Sequence, residues 1–172
     1  VLGPNVVGTL SNSDKLNASF APFLPLAGKA SLVSQSGALL IAMDAITYTR
    51  KIGFDKMVSI GNMSDVNFSD MVAWLNEDDN TDCISLYIEG LKDGRRFIEE
   101  SAKATKPIVV LKAGVSEHGA AAAASHTGSL AGAAKIYSAA FRQASCAGRL
   151  GNFEAIAASR ICDRSIGLGA SC

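Results

Sequence analysis

Three groups of residues in this chain have types and spacings that suit chemistry. His126 sits in a tract of small residues, Ala120 through Ala124 followed by Ser125-His126-Thr127-Gly128-Ser129-Leu130-Ala131-Gly132. Small side chains let a backbone flex and let a charged group approach. A neutral imidazole is a usable nucleophile near pH 7 and can carry a transferred group. The second group is Ser34-Gln35-Ser36-Gly37, just before a helix-like run. Two hydroxyls, unbonded N–H groups and a helix dipole together suit an anion. An ordinary Ser N-cap accounts for the same residues, and no GxxxxGK[ST] phosphate loop is present. The third is Glu89, 37 positions before His126. A carboxylate that accepts from one ring nitrogen leaves the other as the nucleophile, although a solvated loop Glu is the plainer reading.

The elements that must position these groups follow from hydrophobic spacing. Ala30-Ser31-Leu32-Val33-Ser34 reads as a short apolar strand, and 38–51 has helical spacing closed by Gly53. Residues 56–60 form a second strand, ended by Gly61-Asn62. Asp65 or Asn67 caps a helix that turns Met71, Val72 and Leu75 inward. Residues 83–88 are a third strand, 93–104 a helix and 107–111 a fourth strand. The His126 loop and a helix over 133–145 come next. Residues 147–150 suit a short fifth strand and 153–164 a last helix. Strands alternating with helices of this length predict βαβ units and a parallel sheet covered on both faces. The expected fold class is α/β, a flavodoxin-like doubly wound parallel sheet of about five strands. In such sheets ligands gather beyond the carboxyl ends of the strands. All three chemical groups fall on that rim, and a phosphohistidine fits their combination. Its dianion would sit at the amides near Ser36 and Gly37, and Glu89 would hold the ring.

The rest of the chain excludes more than it adds. Residues 1–28 are rich in Gly, Pro, Asn and Ser, show no clean period, and read as an extended crossing segment before a domain over 29–172. Lys and Arg number 16, as do Asp and Glu, so no basic footprint for nucleic acid or an anionic membrane exists. No apolar run reaches the ~20 residues that span a bilayer, and residues 1–5 lack the basic start of a signal peptide. Cys83, Cys146, Cys162 and Cys172 form no CxxC pair and read as buried or incidental thiols of a reducing cytoplasm. His118, beside Glu117, has no metal-ligand spacing and reads as a surface loop residue, so no metal site is expected.

Taken in order, Gly3-Pro4-Asn5, Ser34-Gln35-Ser36-Gly37-Ala38, Ser59-Ile60-Gly61-Asn62, Asp65, Tyr87-Ile88-Glu89-Gly90, Lys106-Pro107, Lys112-Ala113-Gly114 and residues 125–132 form a combined pattern. It resembles the second, flavodoxin-like ligase domain in the α part of ADP-forming acyl-CoA synthetases of the acetate–CoA ligase type, relatives of succinyl-CoA synthetase. The resemblance runs from residue 3 to about residue 164. It implies that phosphate attacks an acyl-CoA, that His126 takes the phosphoryl group from the acyl phosphate, and that ADP receives it, or the reverse.

By this resemblance Glu89 orients His126, and Ser34, Ser36 and Gly37 begin the helix that holds phosphate. Asn5, Gly61 and Asn62 lie near the acyl-CoA, and Ser125, Thr127 and Gly128 belong to a loop that swings between two sites. CoA, ATP or ADP with Mg, and phosphate are then substrates reached through partner domains, with no tightly bound cofactor. The implied partners are a preceding CoA-binding domain, from which 1–28 would be the linker, and an ATP-grasp domain or β subunit. A small acid substrate, an oligomer and a cytoplasmic location complete the expectation. The alternative is the synthetase-like, non-ligating region of a bacterial protein lysine acetyltransferase, against which the retained His126 argues. A receiver or flavin module is a third reading, and the first strand end lacks a receiver's acidic cluster.

Overall fold

In the computed structural model, residues 1–113 and 147–150 are described, together with Tyr137 and Phe141 between them. The sheet is built from β1 (Gly8–Ser11), β2 (Leu16–Ser19), β3 (Ala30–Ser34), β4 (Phe54–Ser59), β5 (Cys83–Ile88), β6 (Ile108–Lys112) and β7 (Ala147–Leu150). Among the described residues three helices have stated bounds: α1 (Gly37–Arg50), α2 (Phe68–Glu77) and α3 (Gly94–Lys103). The spatial order is β2-β1-β4-β3-β5-β6-β7, and the five strands from β3 onward run parallel. Numbered among themselves, those five lie in the order 2-1-3-4-5, which is the flavodoxin-like winding.

Apolar side chains cover both faces, as parallel strands require. Leu32 and Met57 point to one layer with Leu40 and Met43 of α1. Their neighbours Val33 and Val58 point to the other, with Val72 and Leu75 of α2 and Phe97 of α3. The period of two within each strand thus places α1 opposite α2 and α3. The caps explain the helix ends. Ser36 caps α1, and Asn67 rather than Asp65 caps α2 in a reciprocal box with Asp70. Asp93 caps α3.

Three sequence expectations need correction. Residues 8–19, read as part of an irregular segment, form an antiparallel hairpin that extends the parallel sheet through β1 and β4, so the sheet has seven strands among the described residues. Four-residue strands are too short to show a period, and three of the four β2 residues are exposed. Helix α1 is closed by Lys51, which takes the left-handed conformation with φ 56°, and not by Gly53. Gly53 serves a close backbone approach instead, since a Cβ there would lie 2.2 Å from the Ala27 carbonyl oxygen. Finally, Cys83 is buried at the start of β5 and is disulfide-bonded, not a thiol.

Candidate functional site

The winding reverses between β3 and β5, and the crevice beyond their carboxyl ends is where such sheets accept ligands. A cleft of about 500 Å³ opens there. Gln35, Ser36, Gly37, Asn62 and Glu89 line it, and Asn5 closes one side.

The β3 exit makes a donor pair. Ser34 is fully buried, and its Oγ accepts from the Ser36 N–H at 3.1 Å and donates to the Ser36 carbonyl at 2.8 Å. Ser36 Oγ accepts from the Leu39 N–H at 3.3 Å. Both hydroxyls are thus engaged in forming the turn and capping α1. Two first-turn amides, those of Gly37 and Ala38, have no acceptor among the described residues, and both residues line the cleft. Helix N–H groups of this kind attract anions. Gly37 also has no room for a side chain, because a Cβ there would lie 2.4 Å from Val7 Cγ1.

The β4 exit carries Gly61 and Asn62 against residues 3–5. The Asn62 N–H donates to the Pro4 carbonyl at 2.9 Å, and the Ser64 N–H to the Gly3 carbonyl at 2.9 Å. Asn5 Nδ2 reaches Asn62 Oδ1 at 3.4 Å. The Gly3–Pro4 peptide is cis, and Asn5 is left-handed with φ 62°. Gly61, with φ 50°, is required twice over: the conformation disfavours a side chain, and a Cβ would lie 2.2 Å from the Pro4 carbonyl oxygen. The structure therefore brings Asn5, Gly61 and Asn62 together on one wall of the cleft.

The β5 exit presents Glu89. Its N–H donates to Gln35 Oε1 at 2.7 Å, and the Gly90 N–H donates to the same oxygen at 3.0 Å. Its carbonyl accepts from Lys112 Nζ at 2.9 Å. The carboxylate has no hydrogen-bond partner among the described residues and lines the cleft, half-buried. Lys112 is itself only 3% exposed; Nζ also donates to the Ala113 carbonyl and lies 4.6 Å from the Tyr137 ring centroid. Burial lowers the Lys112 pKa, and the Glu89 charge opposes that shift. Burial followed by the same charge raises the Tyr87 hydroxyl.

Glu89, Ser36, Gly37, Asn5, Gly61 and Asn62 thus share one cleft, with Ser34 buried beneath it. His126, Ser125, Thr127 and Gly128 lie outside the described residues, as does His118. Gln35 and Lys112 are not singled out by residue type or spacing alone. The available signals were a long amide between two serines at a strand end and a cation closing a buried apolar strand. Among the described residues no cluster of three His, Cys, Asp or Glu side chains could hold a metal, and no helix is long and apolar enough to cross a membrane. Open amides and a half-buried carboxylate lining one cleft can receive an anion at the amides and orient a basic group at the carboxylate.

The chain is 52% identical over 145 residues to the acetate–CoA ligase (ADP-forming) I subunit alpha of Pyrococcus furiosus, covering 83% of this chain and 31% of that protein. It is 47% identical over 146 residues to the acetate–CoA ligase (ADP-forming) of Methanocaldococcus jannaschii, covering 84% and 21%. The solved structure of Ca. Korarchaeum cryptofilum dinucleotide forming acetyl-coenzyme A synthetase 1 in complex with phosphate and ADP superposes with a TM-score of 0.84 at 43% identity, covering 90% of this chain and 34% of that one. The chain therefore spans about a third or less of the length of these relatives. Residues 27–158 match the model of the succinyl-CoA ligase like flavodoxin domain, and the chain belongs to that family.

Proposed function

We propose that this domain carries the phosphoryl group in an ADP-forming acyl-CoA synthetase, the reversible reaction of an acid, CoA and ATP to acyl-CoA, ADP and phosphate. The supporting observation is the cleft at the β3–β5 reversal, which Gly37, Ala38 and Glu89 line together, in a chain 52% identical to an ADP-forming acetate–CoA ligase subunit.

Phosphate attacks the thioester carbonyl, and the C–S bond breaks to give acyl phosphate and free CoA. One ring nitrogen of neutral His126 then attacks phosphorus, and the P–O bond to the acyl group breaks to release the acid as its carboxylate. Glu89 accepts a hydrogen bond from the other ring nitrogen, fixing the tautomer and stabilising the cationic phosphoimidazole. The amides of Gly37 and Ala38 and the dipole of α1 receive the phosphoryl oxygens. Ser125, Thr127 and Gly128 lend the loop the freedom to bring the phosphoimidazole to ADP, held with Mg by an ATP-grasp domain or β subunit. A CoA-binding domain supplies the thioester, with Asn5, Gly61 and Asn62 beside it. The complete enzyme is an oligomeric assembly.

The test is ATP synthesis by the complete enzyme, with its partner domains, from acetyl-CoA, phosphate and ADP, accompanied by equimolar free CoA. Acyl-CoA consumption with no ATP formed, or acetyl transfer to protein lysine, would refute it.

A further inference from the structure

Glu89 stands one residue past the end of β5, where strand pairing has stopped, yet its backbone is held from both sides. In the sheet β5 lies between β3 and β6. From the β3 side, Gln35 reaches across with a side-chain carbonyl that accepts both the Glu89 and the Gly90 N–H. From the β6 side, Lys112 donates Nζ to the Glu89 carbonyl. Around this point the ordinary backbone bonds persist: Gln35 N–H donates to the Tyr87 carbonyl at 3.2 Å and Ala113 N–H to the Ile88 carbonyl at 2.9 Å. The two side chains therefore take over where the ladders end. Both are buried, so the bonds form in a low-dielectric setting where they are strong and costly to lose. The carboxylate of Glu89 takes no part in this clamp, and it lines the cleft.

We infer that Gln35 and Lys112 are positioning residues that fix the backbone of Glu89 from the two flanking strands, so that its carboxylate is held at the cleft and kept free for an incoming basic group. The role in the reaction rests on the function proposed above; the clamp itself does not. A carboxylate on a strand end without such a clamp would swing with its loop, and misplacement by about 1 Å is enough to cost on the order of a hundredfold in rate.

Two readouts on the complete enzyme test the inference. The first is single-amide hydrogen exchange. In Gln35→Asn, which keeps the amide and shortens its reach by one methylene, the Glu89 and Gly90 N–H groups exchange roughly tenfold faster or more, while Ile84 and Leu86 within β5 are unchanged. The second is the single-turnover rate of phosphoenzyme formation. Gln35→Asn and Lys112→Met each lower it on the order of tenfold to a hundredfold, with the KM for acyl-CoA little moved. In a Glu89→Gln background neither substitution lowers it further, because both act through that carboxylate. Unchanged exchange at residues 89 and 90 overturns the clamp. Rate losses that add in full to that of Glu89→Gln, or a loss of thermal stability with no loss of rate, overturn the positioning role. A wild-type enzyme that forms no phosphoenzyme sinks the function proposed above and the catalytic role with it, and the exchange experiment still decides the clamp. Should Lys112→Met fail to fold, Gln35→Asn carries both tests.

Discussion

Asp44 sets a pH dependence that can be worked out from its surroundings. It lies on the inner face of α1 and is 1% exposed. Neither carboxylate oxygen has a hydrogen-bond partner among the described residues. Burial disfavours its charge and pushes its pKa up to about 6 from an ordinary value of 3.8. The folded state thus binds this proton more tightly than the unfolded chain does. Below about pH 4 both states are protonated and Asp44 costs nothing. Between about pH 4 and pH 6 stability falls as pH rises, and above pH 6 the loss is constant. The shift corresponds to about 3 kcal/mol at pH 7 and above. Replacing Asp44 with Asn removes the ionisation and keeps the shape. The amide leaves polar atoms unpartnered too, so the absolute gain at pH 7.5 is smaller than that figure. The cleaner quantity is the change in the variant-minus-wild-type difference between pH 4 and pH 7.5, which should favour the variant by about 3 kcal/mol, or about 6–12 °C in Tm for a chain of this size. Thermal and urea unfolding of both proteins across that range measures it. A difference that stays constant from pH 4 to pH 7.5 would refute the reasoning, since it would mean that the carboxylate is solvated or paired.

Two further outcomes follow from the scaffold of the cleft. Gly61→Ala costs at least about 1–2 kcal/mol from its left-handed conformation alone, and residues 3–5 must also move to relieve the contact with the Pro4 oxygen; an unfolding midpoint and acyl-CoA KM both equal to wild type would count against that wall of the site. At the opposite end of the strands, Lys56 is 5% exposed and bonded to Asp55 at 2.5 Å and Asp78 at 2.8 Å. Burial lowers its pKa, but the bonds and charges of those two carboxylates outweigh it and raise the value. Asp78 is correspondingly lowered, its own burial being outweighed by the bonds from Lys56 and Thr81. Lys56→Met should destabilise by about 3–5 kcal/mol near neutral pH. The Asp78 share of that loss should be present above about pH 4 and vanish as pH falls through its lowered folded pKa. A cost independent of pH would show that packing, not charge, dominates.

The parallel strands were legible because buried strands write continuous apolar runs: Ala30–Ser34 and Cys83–Ile88 coincide with the expected spans. The winding then brought Glu89 and the Ser36–Gly37 turn to one rim, as the rule for such sheets requires. The hairpin through Ser11 and Leu16 was illegible, because half of it faces solvent and its turn residues read equally well as a loop. The part of Gln35 was hidden for a different reason: its partners lie 54 and 55 positions away, and only the adjacency of β3 and β5 makes them neighbours. Lys112 likewise looked like the polar end of a strand, whereas the fold buries it under the Glu89 peptide. The two serines illustrate the reverse case. As residue types they suit a phosphate, and the structure engages their hydroxyls in the turn, leaving the neighbouring backbone amides open.

In the proposed reaction a histidine of this chain holds the phosphoryl group. Incubating the complete enzyme with γ-³²P-labelled ATP and Mg should give an acid-labile, base-stable label on the peptide containing His126, lost in His126→Ala and released on addition of ADP. Equal labelling of wild type and His126→Ala would contradict it.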